Sequence, residues 1–370
     1  AIGNFIIYGL PAGASVDKAK INGSAIPSNS KRYKGMPCAV GIVHAGGQLV
    51  KQTHKFFGSK DEYAGTRGFK IADILMDEIK SLGDKVEIRT NTTVTGFFHE
   101  DGVYTAMEGE ESYYRVKAKK TIMATGAQER MILFPNNDLP GVYGAGAVQT
   151  LMNLYGVVPG KKVVMVGAGN IGLIVSYQLM QAGVEIAAVI EAMPKVGGYW
   201  VHAAKIRRLG IPILLRHTII EALGDTTITG VVISEIDDKF HPINEPVKID
   251  CDVICMAVGL TPTTEMFWMA GADMRYVPQL CGYVPFRDKT MRTSNPDLWV
   301  AGDAAGIEEA SAAMVEGRIA GLSAAKALGY PVDDRKFHEF WARLEHLRAG
   351  EVGTKILSGI SQVMVDGWEA

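Results

Sequence analysis

The residues best placed to do chemistry lie mid-chain, in KKVVMVGAGNIGLIVSYQLMQAGVEIAAVIE, residues 161–191. Gly167, Gly169 and Gly172 form G-x-G-x-x-G, with Asn170 and Ile171 between the last two. VVMV is an apolar run suited to a buried parallel strand. The residues after it have helical spacing, and VEIAAVIE reads as a second strand ending in Glu191. Gly167 permits the tight turn, Gly169 lets backbone approach a pyrophosphate, and Gly172 lets helix and strand pack closely. The helix N-terminus presents N–H groups to the phosphates. Glu191 follows Gly167 by 24 positions, where a carboxylate takes a ribose 2′-OH. That charge favours NAD over NADP. The competing reading keeps the glycines for packing only, with the site empty or holding another adenine nucleotide.

Two further segments end a strand in a small-residue turn. KTIMATGAQER (120–130) does so at Ala124, Thr125 and Gly126, and DVICMAVGLTP (252–262) does so at Gly259. The first lies about 110 residues after the glycine-rich opening at Gly13 and the second about 90 after Gly169, a diffuse repeat of one nucleotide-binding pattern. LWVAGD then stops at Gly302 and Asp303 before a small-residue helix that includes Ala313. An acid there suits a ligand hydroxyl; the plainer alternative is an N-cap for the next helix.

These pieces must be positioned by an α/β fold. The expectation is two Rossmann-like dinucleotide-binding domains in three layers, one inserted in the other. The flavin-type domain would be discontinuous, over 1–145 and 280–332. The NAD domain would span 146–279, and a helical segment 333–370. Residues 60–90 carry an amphipathic helix, and 91–120 alternate as in an antiparallel meander.

Bulk properties narrow the function classes. The chain has 370 residues, 47% hydrophobic and 21% charged, enough for two or three ordinary domains. A net charge of −2 gives no electrostatic footprint for nucleic acid. The cysteines, Cys38, Cys251, Cys255 and Cys281, show no CxxC or zinc spacing, so no metal site is expected. No apolar run reaches the roughly 18 residues of a membrane span, and no leader pattern opens the chain. A soluble, cytoplasmic protein is the expectation.

Together the segments resemble the pyridine nucleotide-disulfide oxidoreductase superfamily. TSNPDLWVAGD resembles its second flavin motif, which implies that Asp303 holds the FAD ribityl chain. TIMATGA resembles its ATG motif, and GAGNIG its NAD fingerprint. VGGYWVHAAKIRRLGIPILLRHTI (196–219) and GGQLVKQTHKFFGS (46–59) resemble one branch, the NAD/FAD-binding alpha-type subunits of heteromeric dehydrogenases. That branch includes dye-linked L-proline dehydrogenase, sarcosine oxidase, hydrogen cyanide synthase and a protein accompanying glycerol-3-phosphate dehydrogenase. The resemblance implies FAD and NAD as cofactors. It also implies a hetero-oligomer with a flavoprotein subunit that oxidises an amino acid, amine or hydroxy acid. Two alternatives stay open: a non-catalytic adenine-nucleotide-binding subunit, and a stand-alone NADH oxidase or dehydrogenase.

The departures matter as much. Aligned on Gly46, Gly47 and the following Gln48, the two redox cysteines of disulfide reductases fall at Leu49 and His54. Disulfide exchange is therefore not expected. His54 would steady charge on reduced flavin or relay a proton; Lys51 and Gln52 are weaker candidates. At the N-terminus, YGLPAG aligns with G-x-G-P-A-G through Gly9, Pro11, Ala12 and Gly13, but Leu10 stands where a pyrophosphate must approach. Val43 or His44 replaces the ribose-binding acid. Either this half has lost its cofactor, or it holds FAD by other contacts, or the sequence is in error at this end.

Overall fold

A computed structural model describes residues 4–8, 17–19, 45–56, 59–109 and 112–367. Among them, eight α-helices run in chain order: α1 (Gly68–Lys80), α2 (Ala145–Tyr155), α3 (Asn170–Gln181), α4 (Trp200–Arg208), α5 (Glu265–Met269), α6 (Ala310–Ala327), α7 (Arg335–Leu347) and α8 (Glu351–Ile360). The chain divides into two compact units. One comprises residues 1–50, 55–127 and 261–370; the other comprises 51–54 and 128–260.

The second unit is built on a five-stranded parallel sheet. Its order is Ile213–Leu215, Glu185–Glu191, Lys162–Val166, Val253–Met256, Val142–Gly144. The strand period of two divides its side chains between faces. Val163 and Met165 pack under helices with Leu173, Leu179 and Ile206. Val164 and Val166 pack on the other side with Ile219, Val231 and Ile233. Those three belong to an antiparallel sheet, His217–Gly224, Ile228–Glu235 and Val247–Asp250. Three layers result: helices, parallel sheet, antiparallel sheet. The strand order reverses beside Lys162–Val166, the switch point where ligands bind in such sheets.

The first unit pairs Lys120–Ala124 in parallel with Leu298–Val300. Asn4–Tyr8 joins the same sheet antiparallel, Asn4 opposite Ala124. A fingerprint strand in a doubly wound sheet would run parallel, so this strand does not enter as the N-terminal motif predicts. Gly9, Pro11, Ala12, Gly13, Val43 and His44 lie outside the described residues. A four-stranded antiparallel sheet orders Asp17–Ala19, Ser112–Val116, Val103–Glu108 and Thr92–Phe98. The core gathers Ile122, Met123, Trp299 and Val300 with Val315 and Ile319 of α6 and Leu344 of α7.

The sequence places the divisions at 145/146 and 279/280, whereas the compact units change at 127/128 and 260/261. The reasons are local. Val142–Gly144 pairs with Val253–Met256 and so belongs to the parallel sheet. Phe267 of α5 and Ala270 just past it are buried in the core of the first unit. The segment after 332 also packs there, through Leu344 and the partly buried Phe337, Phe340 and Trp341.

Candidate functional sites in the two units

In the second unit the turn after Lys162–Val166 is set by close approach. Gly167 has φ +102°, a region L side chains rarely adopt. A Cβ on Gly172 would overlap the Gly167 carbonyl. Gly169 is different: a Cβ there would meet nothing within 4 Å. The backbone at Gly169 therefore borders open space at the start of α3, the cradle a pyrophosphate needs. Asn170 Oδ1 accepts the Tyr199 N–H at 2.7 Å, and Ala168 O accepts the Gly198 N–H at 2.9 Å. Ile171 is exposed on the first turn. Glu191 closes the site from the next strand. Its Oε2 accepts the Ala168 N–H at 2.7 Å and its Oε1 the Met193 N–H at 2.9 Å. The carboxylate is thus fixed against the turn, with lone pairs left for a ribose hydroxyl. Gly259 follows Val253–Met256 with φ +113°, and its carbonyl accepts the Arg130 N–H at 3.0 Å.

Residues 51–54 are tied to the same unit. Lys51 Nζ donates to Gly146 O at 3.0 Å and Thr150 Oγ1 at 3.3 Å. Asn153 Nδ2 donates to Lys51 O at 2.8 Å, and Gln178 Nε2 to Thr53 Oγ1 at 2.8 Å. Burial lowers the Lys51 pKa, while the Glu129 charge opposes that. Glu129, in KTIMATGAQER, accepts the Gly146 N–H at 2.6 Å and the Ala147 N–H at 3.2 Å. It satisfies the first turn of α2. His54 is half-buried. Burial, with repulsion from His202, depresses its pKa from 6.5 to about 4. The ring is therefore uncharged at neutral pH. Of the two roles suggested by the sequence, an uncharged ring suits proton relay.

In the first unit, the candidate residues line strand ends. Ala124 ends its strand; Thr125 Oγ1 donates to Thr263 O at 2.6 Å, and Gly126 O accepts the Thr263 N–H at 2.9 Å. Gly302, at φ +71°, opens a 3₁₀ turn, Gly302–Ala305, after Leu298–Val300. A Cβ on Gly302 would stand 3.4 Å from Ala313 Cβ, so α6 packs closely under the turn. Asp303 is 1% exposed. Its place in the 3₁₀ turn, five residues ahead of Glu308 and seven ahead of α6, removes the N-cap alternative. Gly46, at φ +112°, packs against Val50 and Ala72, where a Cβ would stand 2.8 Å and 3.0 Å from their atoms. Gly47 and Gln48 begin the 3₁₀ turn Gly47–Lys51, and Leu49 within it is 1% exposed.

Each unit thus presents a glycine turn at the carboxyl end of a strand with a fixed carboxylate beside it, as dinucleotide-binding flavoprotein folds do. The chain belongs to the pyridine nucleotide-disulphide oxidoreductase family, whose model matches residues 26–317. Among curated relatives, it is 26% identical to the HcnB component of hydrogen cyanide synthase of Pseudomonas aeruginosa, over 87% of this chain and 73% of that one. It is 27% identical to the alpha subunit of sarcosine oxidase of Corynebacterium sp., over 63% of this chain but 23% of the relative. It is 28% identical to an opine oxidase subunit of Agrobacterium tumefaciens, over 56% of this chain and 44% of that one. The chain thus spans less than half of these last two relatives. Two solved structures share the fold at 22% identity. Thioredoxin reductase of T. acidophilum has a TM-score of 0.62 over 78% of this chain and 89% of that one. L-proline dehydrogenase of P. horikoshii has 0.59 over 80% and 51%. The protein is an oxidoreductase that binds FAD and NAD(P), and the cradle at Gly169 fits a dinucleotide.

Proposed function

We propose that this chain is the NAD/FAD-linked subunit of a heteromeric dehydrogenase whose partner oxidises an amino acid, amine or hydroxy acid. The open cradle at Gly169, with Glu191 fixed against the turn, carries the reading. In it, Gly167, Gly169, Asn170, Ile171 and Gly172 hold the pyrophosphate of NAD and Glu191 its adenosine ribose. Gly302 and Asp303 hold the FAD ribityl chain. Bound together, the cofactors supply hydride exchange between nicotinamide and flavin. The chain supplies orientation, dryness and, at His54, an uncharged imidazole able to pass a proton.

The subunit reading is supported by relatives that are themselves named as subunits: of hydrogen cyanide synthase, sarcosine oxidase and opine oxidase. The test is an absorbance spectrum of the purified chain across the visible range, before and after NADH without oxygen. A flavin band that bleaches is expected. Fast turnover of NADH with oxygen or a soluble acceptor by the chain alone would replace the subunit reading with a stand-alone oxidase. No flavin band even after added FAD would overturn the assignment of Gly302 and Asp303.

A further inference from the structure

The turn at Gly302 rests on a buried charge cluster that no part of the redox chemistry requires. Glu316 of α6 is 3% exposed. Its Oε2 accepts the Gly302 N–H at 3.0 Å and its Oε1 accepts Arg348 Nη2–H at 2.7 Å. Arg348, just past α7, is 4% exposed and also grips Glu308 through Nε at 2.9 Å and Nη2 at 2.7 Å. Arg287 lies within electrostatic reach of Glu316, Arg348 and Glu308. It is 1% exposed, and its Nε and Nη1 donate to no acceptor among the described residues. Burial depresses its pKa, whereas Arg348, despite burial, is held more strongly protonated by Glu316 and Glu308.

Two buried cations and two buried carboxylates balance. Burial and the neighbouring Glu308 raise the Glu316 pKa, but both its oxygens accept, one of them from a guanidinium, and this holds the carboxylate as an anion. Burying four charges gives little stability that apolar side chains would not give. What it does give is direction. The Gly302 N–H is held on one carboxylate oxygen, which fixes the Ala301–Gly302 peptide plane, one residue ahead of Asp303. The clamp that fixes the carboxylate comes from the C-terminal helices. Backbone from the same region pairs with Arg287: its N–H donates to Val363 O at 3.0 Å, and Arg287–Asp288 runs parallel to Met364–Val365.

We propose that Glu316, clamped by Arg348, is a positioning residue for the flavin-holding turn, and that docking of residues 335–367 and FAD binding at Asp303 are coupled through it. The proposal rests on the reading of Asp303 as the ribityl-holding acid. FAD binding orders the turn, the turn holds Glu316, and Glu316 holds Arg348.

The experiment compares the parent with Asp303→Asn, Glu316→Gln, Arg348→Lys, Arg348→Met and the double variant Glu316→Gln/Arg348→Met. FAD affinity is read by flavin fluorescence titration, the bound flavin by visible circular dichroism, and the second unit's integrity by NADH titration. Hydrogen exchange of residues 335–367 in the parent is measured with and without FAD. Expected are a rise of about tenfold or more in FAD Kd for Glu316→Gln and Arg348→Met. A changed flavin dichroism, partial rescue by Arg348→Lys, unchanged NADH affinity and slower exchange in 335–367 with FAD are also expected. If Asp303→Asn weakens FAD while Glu316→Gln leaves affinity and dichroism at parent values, the positioning role is wrong. If Asp303→Asn itself has no effect, the site reading fails instead. Exchange in 335–367 indifferent to FAD overturns the coupling without any variant, and so covers the case in which single replacements do not fold.

Discussion

His54 offers a prediction whose size follows from the structure. In the unfolded chain its imidazole takes a proton near 6.5; in the folded protein it does so only near 4. Between those values the unfolded state binds more protons, so stability rises with pH there. Above 6.5 neither state is protonated and the group contributes no pH dependence. Acidification through the window removes roughly 3 kcal/mol in full, a large share of an ordinary domain's stability. His202, whose pKa burial also lowers, adds a component of the same sign. A difference between proteins isolates His54. Urea unfolding of the parent and of His54→Gln at about pH 7 and about pH 4.5 gives two stability differences. The parent should lose about 2.5 kcal/mol more than the variant between the two conditions. Equal losses would mean that the imidazole titrates normally in the folded protein. The uncharged ring would then no longer be available as the reason for assigning proton relay.

The glycines of the fingerprint should separate folding from binding. Gly169→Ala enters open space, so its melting temperature should stay near the parent's while NADH affinity falls at least about tenfold, because the methyl occupies the pyrophosphate's approach. Gly172→Ala overlaps the Gly167 carbonyl, and thermal unfolding should show a loss of about 1–3 kcal/mol. Glu191→Ala leaves the Ala168 and Met193 N–H groups without their acceptor; NADH should weaken about tenfold and NADPH less, narrowing the ratio in paired titrations. Glu62, fully buried, meets Arg343 at 3.2 Å and Arg318 at 3.5 Å. Glu62→Gln removes the charge that faces them while Arg343 keeps Glu339 at 2.6 Å, and should cost about 1–2 kcal/mol in urea unfolding.

What could be read from sequence tracks how local the physics is. The segment 161–191 is legible because a buried parallel strand, a glycine turn and a helix start are each specified within a few residues, and the structure sets Glu191 against Ala168. The meander of 91–120 shows in its period of two. The first compact-unit limit differs from the division read in the sequence because Val142–Gly144 is too short to carry a pattern. Its membership is decided by pairing with Val253–Met256, more than a hundred residues on. Glu316 and Arg348 gave no signal for the same reason. VEGRIAG reads as a small-residue helix, and only folding brings its acid to Gly302. Glu129 lies just after the ATG turn, but its task of capping α2 depends on a helix that starts 16 residues later.

The cysteines close one route for electrons. Cys255 is wholly buried in the sheet core, and burial drives its thiol far up; Cys251 is pushed up to about 12 by burial and by Asp252 and Asp250. At neutral pH thiolate at either is negligible, and thiolate is the reacting form. Leu49, which takes the place of a redox cysteine, is buried with Phe56, Ile71 and Met314. Reducing equivalents taken from a pyridine nucleotide therefore have no dithiol to land on among the described residues. Their acceptor is then the flavin, with oxygen, a soluble acceptor or the proposed partner beyond it. Alkylating the accessible thiols of the folded chain should leave NADH-driven bleaching of the flavin band unchanged in rate and extent. Loss of bleaching on alkylation, restored when the thiols are protected first, would reinstate a thiol relay.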